Sequence, residues 1–280
     1  MPKQKKDQFV IAYIANLDQH ETVVKYARTM ARFLGKGLIL LYICDKRYTK
    51  IEADEAQQRL INIKQQFTGE DITYCVLKGK SKEIINLLPT MLNGVVAVAG
   101  VDRNATLFKP TNPHRVINDF AECKIAYLTV QIDDTSINNL KDIALRIDYR
   151  KESKEKLIWA SYFARFNNSL LHILHEEYKD AGLRTKFEEN MLFLGKFFAG
   201  LNVEYKREAI DGSVNFQDIS AIKHSINQGY NLMICVTTDT RELDVVDWFI
   251  GKAEHRVIKN KYKIPVLFIN PRDDIYVLCD

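Results

Sequence analysis

Histidines, paired acids and one polar loop are the places where this sequence could do chemistry. His172 and His175 stand three apart with Glu176 beside the second, a set that could offer imidazole and carboxylate to a metal. They lie in an apolar run that reads as a strand, where residues three apart point to opposite faces. They are expected to be strand-end histidines in or near the core. His114 and His255 open two similar stretches, and a packing or capping role is expected for both. The acid pairs Asp133-Asp134, Glu176-Glu177 and Glu188-Glu189 are adjacent in sequence, and neighbours on a helix do not face each other, which argues against acid–base pairing. Gly251-Lys252 lacks the preceding glycine loop of a phosphate-binding G-x-x-x-x-G-K-[ST], and no G-x-G-x-x-G follows a first strand. A hydrolase elbow, G-x-S-x-G, is also missing. What remains is the polar loop 237–242, which leaves the short apolar run Leu232–Val236 at the end where open parallel sheets bind ligands.

The elements that would carry such a loop can be read from periodicity. The run 232–236 is too brief for a helix and reads as a strand buried on both faces. Val246, Ile250, Ala253 and Val257 then recur on one helical face, and 264–269 is a second strand. Upstream, strands are predicted over 9–15, 38–44, 73–77, 95–99 and 125–130, with helices over 21–34, 53–67, 82–92 and 114–120. Ser81 is expected to cap the helix 82–92, which Pro89 makes irregular. Strands at 143–147, 170–174, 203–209, 232–236 and 265–269 follow, with helices near 153–166, 183–199, 216–227 and 244–259.

The chain also repeats itself. Ala27-Arg28-Thr29-Met30-Ala31-Arg32-Phe33 and Ala160-Ser161-Tyr162-Phe163-Ala164-Arg165-Phe166 share A-x-x-x-A-R-F. His114-Arg115-Val116-Ile117 returns as His255-Arg256-Val257-Ile258, and each is followed by Lys-Ile and a terminal strand. Two matches in the same order point to a duplicated domain, and the period is far too long for a solenoid. Each half is expected to be an α/β domain of the doubly wound type with five strands, over 1–132 and 140–280.

Composition narrows the classes. The 280 residues are 46% hydrophobic and 27% charged, ordinary for a globular chain. No apolar segment approaches the roughly 20 residues that span a bilayer, and MPKQKKDQ has no apolar core behind it, so neither membrane insertion nor export is expected. Five scattered cysteines without a CxxC pair suit a reducing cytoplasm. The net charge of +4 lacks the single-sign stripe of a nucleic-acid footprint, and no nucleic-acid partner is expected.

With these residues on the page, the sequence resembles a tandem universal stress protein. Five alternating strands and helices, a duplicated unit and the ending F-I-G-x-x-x-x-x-V-I…I-P-V-L carry the resemblance, which is strongest at 248–270 and 143–175. It implies five-stranded parallel sheets of the adenine-nucleotide alpha-hydrolase (HUP) type, packed as an intramolecular pseudo-dimer. Pairing of the fifth strands, 127–130 and 266–269, is expected, with assembly into a homodimer and an unidentified protein partner as further expectations. The nucleotide-binding branch of the family carries G-x2-G-x9-G-[ST] and an acid at the end of strand one. Here Thr238 and Arg241 stand at the first two glycines, Gly251 at the third and Lys252 at the hydroxyl position, while Asp148 stands at the acid. In the first half Asn16 falls near the acid, Gly100 ends strand four, and Pro110-Thr111 stands where Gly-Ser is expected. The resemblance therefore implies a non-enzymatic cytoplasmic stress-response protein. Its second domain would hold a degenerate nucleotide site made of Asp148, Thr237, Thr238, Arg241, Gly251 and Lys252. Side chains there, Lys252 as a point charge among them, could hold an anion. No cofactor is required, and ATP or another adenine nucleotide is the alternative occupant. Weak ATPase or adenylate chemistry and a ligand-free scaffold are the rival readings.

Overall fold

The structure is a computed structural model that describes residues 7–44, 49–134, 139–210, 217–237 and 257–270. The chain divides into two units, Met1–Ile137 and Asn138–Asp280.

Unit 1 begins with β1 (Phe9–Tyr13), α1 (Glu21–Leu34), β2 (Gly37–Cys44), α2 (Lys50–Gln65) and β3 (Ile72–Lys78). It continues with α3 (Ser81–Asn86), α4 (Leu88–Met91), β4 (Gly94–Val101), α5 (Pro113–Phe120) and β5 (Ala126–Gln131). Its strands are parallel in the order β3-β2-β1-β4-β5. β1 and β5 are buried almost throughout, and residues such as Ile11, Leu40, Val98 and Leu128 have no exposure at all. Phe120 of α5 stacks on Tyr127 at 4.6 Å and meets the edge of Tyr13 at 6.0 Å, closing one side of the sheet.

Unit 2 holds β6 (Asp142–Arg146), α6 (Lys156–Asn167), β7 (Leu170–His175), α7 (Ala181–Gly200), β8 (Tyr205–Ala209), α8 (Gln217–Asn227), β9 (Leu232–Val236) and β10 (Val266–Ile269). Its parallel strands run β10-β9-β6-β7-β8. Phe163, Phe198 and Phe268 are its largest fully buried side chains. The two A-x-x-x-A-R-F stretches fall on α1 and α6, each the helix after its unit's first strand. Both helices end two residues beyond the motif in a left-handed residue, Gly35 (φ 62°, ψ 42°) and Asn168 (φ 52°, ψ 47°). Such a residue reverses the chain and lets its amide meet the last carbonyls. Among the described residues no helix is long and apolar enough to cross a membrane.

Several boundaries differ from the sequence reading, each for a local reason. The predicted helix 82–92 is two short helices, because Pro89 lacks an amide and takes a place in the first turn of α4. Ser81 is not the cap of α3; it is the first helical residue, Lys80 precedes it without a capping bond, and Tyr13 Oη donates to Ser81 Oγ at 3.3 Å. α2 starts at Lys50 because Thr49 and Glu52 form a reciprocal capping box. α7 starts at Ala181, where Asp180 accepts the amide of Leu183. α6 is preceded by a 3-10 turn, Lys151–Glu155, where a single helix from 153 is predicted.

β4 runs on past 99, and that extension explains Gly100. A Cβ there would lie 2.8 Å from both the Val23 and Ile132 side chains, so the glycine admits a close approach of α1 and of the chain leaving β5. Gly100→Ala is expected to destabilise unit 1 by about 1–3 kcal/mol, the usual cost of forcing a methyl into a filled interior. Urea unfolding followed by circular dichroism measures it.

Candidate functional site

The strand order decides where a ligand could sit. In unit 2 the chain moves from β6 through β7 to β8, then returns to place β9 on the other side of β6. The carboxyl ends of β6 and β9 therefore flank the switch point, the crevice that open parallel sheets use for ligands. Asp148 lies two residues beyond β6 and Thr237 one beyond β9, so both stand at that edge.

Asp148 is almost wholly buried, at 1% exposure, and its carboxylate is fully engaged. Arg146 Nη2 donates to Oδ2 at 2.6 Å, and Arg150 adds Nε at 2.9 Å and Nη2 at 2.7 Å. The Arg150 amide and the Ser153 hydroxyl donate to Oδ1. Lys156, itself buried, donates through Nζ to the Arg146 carbonyl. Asn190 of α7 gives its amide protons to the carbonyls of Asp148 and Arg150, both at 2.8 Å, and so pins the turn from the opposite side. Burial by itself pushes the Asp148 carboxyl up, but Lys156, Arg150 and Arg146 together outweigh it and hold the group well below its ordinary range. Burial likewise pushes the Lys156 ammonium down, with Asp148 opposing.

This arrangement limits the chemistry. A general acid or base needs a pKa near the working pH, and Asp148 is held ionised far below it. Its lone pairs are occupied by the protein's own donors, so Asp148 acts as the anchor of a buried ion network. Of the side chains on this carboxylate, Arg150 is 47% exposed. Thr237 is also engaged, its hydroxyl donating to Asn270 Oδ1 at 2.8 Å. The structure thus brings Asp148 and Thr237 to one edge, each bonded to its own neighbours. The other predicted site residues, Thr238, Arg241, Gly251 and Lys252, lie outside the described residues. Arg146, Arg150, Ser153, Lys156 and Asn190 escaped the sequence reading. The available signal was Arg146, a charge inside the apolar run 143–147.

At the matching edge of unit 1 the loops bond to themselves. Asn16, near the acid's place, accepts the Asp18 amide and donates to Gln19. The loop from Asp102 to Asn112 closes on itself: the Asp102 amide meets the Thr111 carbonyl and Asn112 Nδ2 meets the Ala105 carbonyl. Asn112 Oδ1 caps the start of α5 through the His114 amide, and Pro113 removes another donor there. A cleft of about 400 Å³ nearby is lined by Asp18, Gln19, Glu21, Thr22, Lys25, Ile132 and Asp134. Three carboxylates against one ammonium disfavour a phosphate.

The histidine pair separates as its strand position predicts. His172 is buried beneath Tyr230, ring centroids 3.8 Å apart, and offers Nδ1 to Glu208 at 2.8 Å and Nε2 to Asp142 at 3.2 Å. His175 packs on Phe187. Among the described residues no group of three or more His, Cys, Asp or Glu is arranged to hold a metal.

No family model matches this sequence, and a search of curated proteins finds no match. Solved structures do match in fold. A universal stress protein from Archaeoglobus fulgidus DSM 4304 aligns over 95% of this chain and 97% of its own, with a TM-score of 0.71 and 15% identity. A functionally unknown protein from Pseudomonas aeruginosa PAO1 aligns over 98% and 96%, with a TM-score of 0.64 and 14% identity. The cytoplasmic domain of a prokaryotic cation chloride cotransporter aligns over 94% and 95%, with a TM-score of 0.56 and 12% identity. The chain has the α/β fold, with mostly parallel strands, of universal stress proteins.

Proposed function

We propose that this chain, built on the universal stress protein fold, is a cytoplasmic stress-response protein that works by binding rather than by catalysis. Its ligand site is the crevice at the carboxyl ends of β6 and β9, a degenerate form of a nucleotide site. The observation that carries this reading is the Asp148 carboxylate, saturated by Arg146, Arg150 and Ser153. An acid so occupied has no lone pair to spare for a nucleoside, while Arg150, whose side chain is half-exposed, brings positive charge to that edge. Unit 1, with α5 capped by Asn112 and Pro113, serves as a structural partner.

Titration calorimetry with ATP and AMP, run beside a phosphate-release assay, tests it. The expected result is weak, saturable binding without turnover. Arg241→Ala combined with Lys252→Ala is expected to weaken that binding about a hundredfold or more, since each charged contact contributes about 1.5–3 kcal/mol. Steady phosphate release would replace this reading with an enzymatic one, and heat-free titrations with both nucleotides would replace it with a scaffold.

A further inference from the structure

Two outer strands, β3 of unit 1 and β8 of unit 2, are built differently. β8 carries Lys206, Arg207 and Glu208 among its five residues, with both basic side chains exposed. Charges on an edge strand block its open backbone groups from pairing with another chain. β3 has no such guard. Its first six residues, Ile72 through Leu77, are uncharged, Thr73 is exposed, and Tyr74, Cys75, Val76 and Leu77 are half-buried. Among the described residues β2 is the only strand paired with it.

The charges that do flank β3 are arranged by sign. Asp71 stands at its amino end, and Lys78 and Lys80 at its carboxyl end, all three exposed. We propose that β3 docks antiparallel on β3 of a second copy of this chain, about a two-fold axis through Cys75. A two-fold contact must be self-complementary, and this one is. Tyr74 of each copy faces Val76 of the other, Thr73 faces Leu77, and each Asp71 meets the end that bears Lys78 and Lys80. Directly opposed residues in an antiparallel pair have Cα atoms about 4.5–5.5 Å apart, so the two Cys75 side chains stand at a separation that a disulfide can bridge. This surface is separate from the ligand site of unit 2 and does not rest on it.

The test uses the full chain. Sedimentation equilibrium over a concentration series is expected to show a reversible dimer. Treatment with copper phenanthroline and dioxygen is expected to couple two Cys75 thiols into a disulfide, each sulfur losing one proton and one electron to the oxidant. Cys75→Ser is expected to abolish the cross-link yet leave the reversible dimer. Thr73→Lys changes an exposed side chain and so spares the core; it is expected to weaken dimerisation about tenfold or more, or roughly 1.4 kcal/mol or more, with an unchanged circular dichroism spectrum. A chain monomeric at every concentration, a dimer that does not cross-link, a cross-link that survives Cys75→Ser, or a dimer indifferent to Thr73→Lys would each overturn the proposal.

Discussion

Asp148→Ala is expected to destabilise unit 2 by about 3–5 kcal/mol, because removing one partner of a buried ion network strands the others. Arg146 and Asp148 are 4% and 2% exposed at their side chains, and a carboxylate oxygen of Glu176 lies 3.6 Å from Arg146 Nη1. Without Asp148 the Arg146 guanidinium loses an ion pair of 2.6 Å in a place water hardly reaches, and Arg150 and Ser153 lose an acceptor. A control separates the network from mere packing. If the charges are coupled, Arg146→Ala and Asp148→Ala made together cost less than the sum of the two single changes. Both tryptophans of the sequence, Trp159 and Trp248, belong to unit 2, so their fluorescence during urea unfolding reports on this unit selectively. The pH dependence has a definite sign. The Asp148 carboxyl is lower in the fold than its ordinary 3.8, so the stability it contributes is complete above that value and drains away as the pH falls below it.

Glu208→Gln is expected to cost about 2–3 kcal/mol, in line with hydrogen bonds made to a charged group. One carboxylate gathers three donors from three places. Tyr230 Oη reaches both oxygens at 2.6 and 2.7 Å, His172 Nδ1 of β7 reaches Oε1 at 2.8 Å, and His224 Nε2 of α8 reaches Oε2 at 2.8 Å. The residue therefore holds α8 and the lead into β9 onto the sheet. Glutamine keeps the shape but replaces one acceptor oxygen with a donor, which faces donors already in place. Burial pushes the Glu208 carboxyl up, but the bonds from Tyr230, His224 and His172 bring it down from 4.5 to about 2. Its contribution is thus full above about pH 4.5 and lost as the pH falls toward 2. In the variant, acid titration of unfolding is expected to lose the part of its slope that lies in that window.

How much of this was legible in the sequence differs from residue to residue. Strands 38–44 and 232–236 announced themselves because a strand covered on both faces is simply an apolar run. Thr49-Lys50-Ile51-Glu52 also spelled a capping box, yet the helix was placed from its apolar face, which begins later at Ala56. Pro89 marks an irregularity in the sequence, and in the fold it falls at a full break between two helices. The clasp around Glu208 was hidden because its members, at 172, 208, 224 and 230, are joined by the fold and not by spacing. Arg146 illustrates a different limit. A cation inside an apolar run reads as a blemish until its anion, two residues on, is found on the inside as well. Gly100 is expected from the sequence only to end strand four, whereas β4 runs one residue past it and crowding by Val23 and Ile132 accounts for the glycine.

The left-handed residues that close α1 and α6 carry a consequence for sequence drift. Glycine fills this position in one unit and asparagine in the other, the two residue types that visit such a backbone most readily. Exchange between them leaves the reversal into β2 or β7 intact, so evolution can vary this corner along a narrow channel. A β-branched replacement at either place would close that channel, and the strand that follows would lose its point of entry.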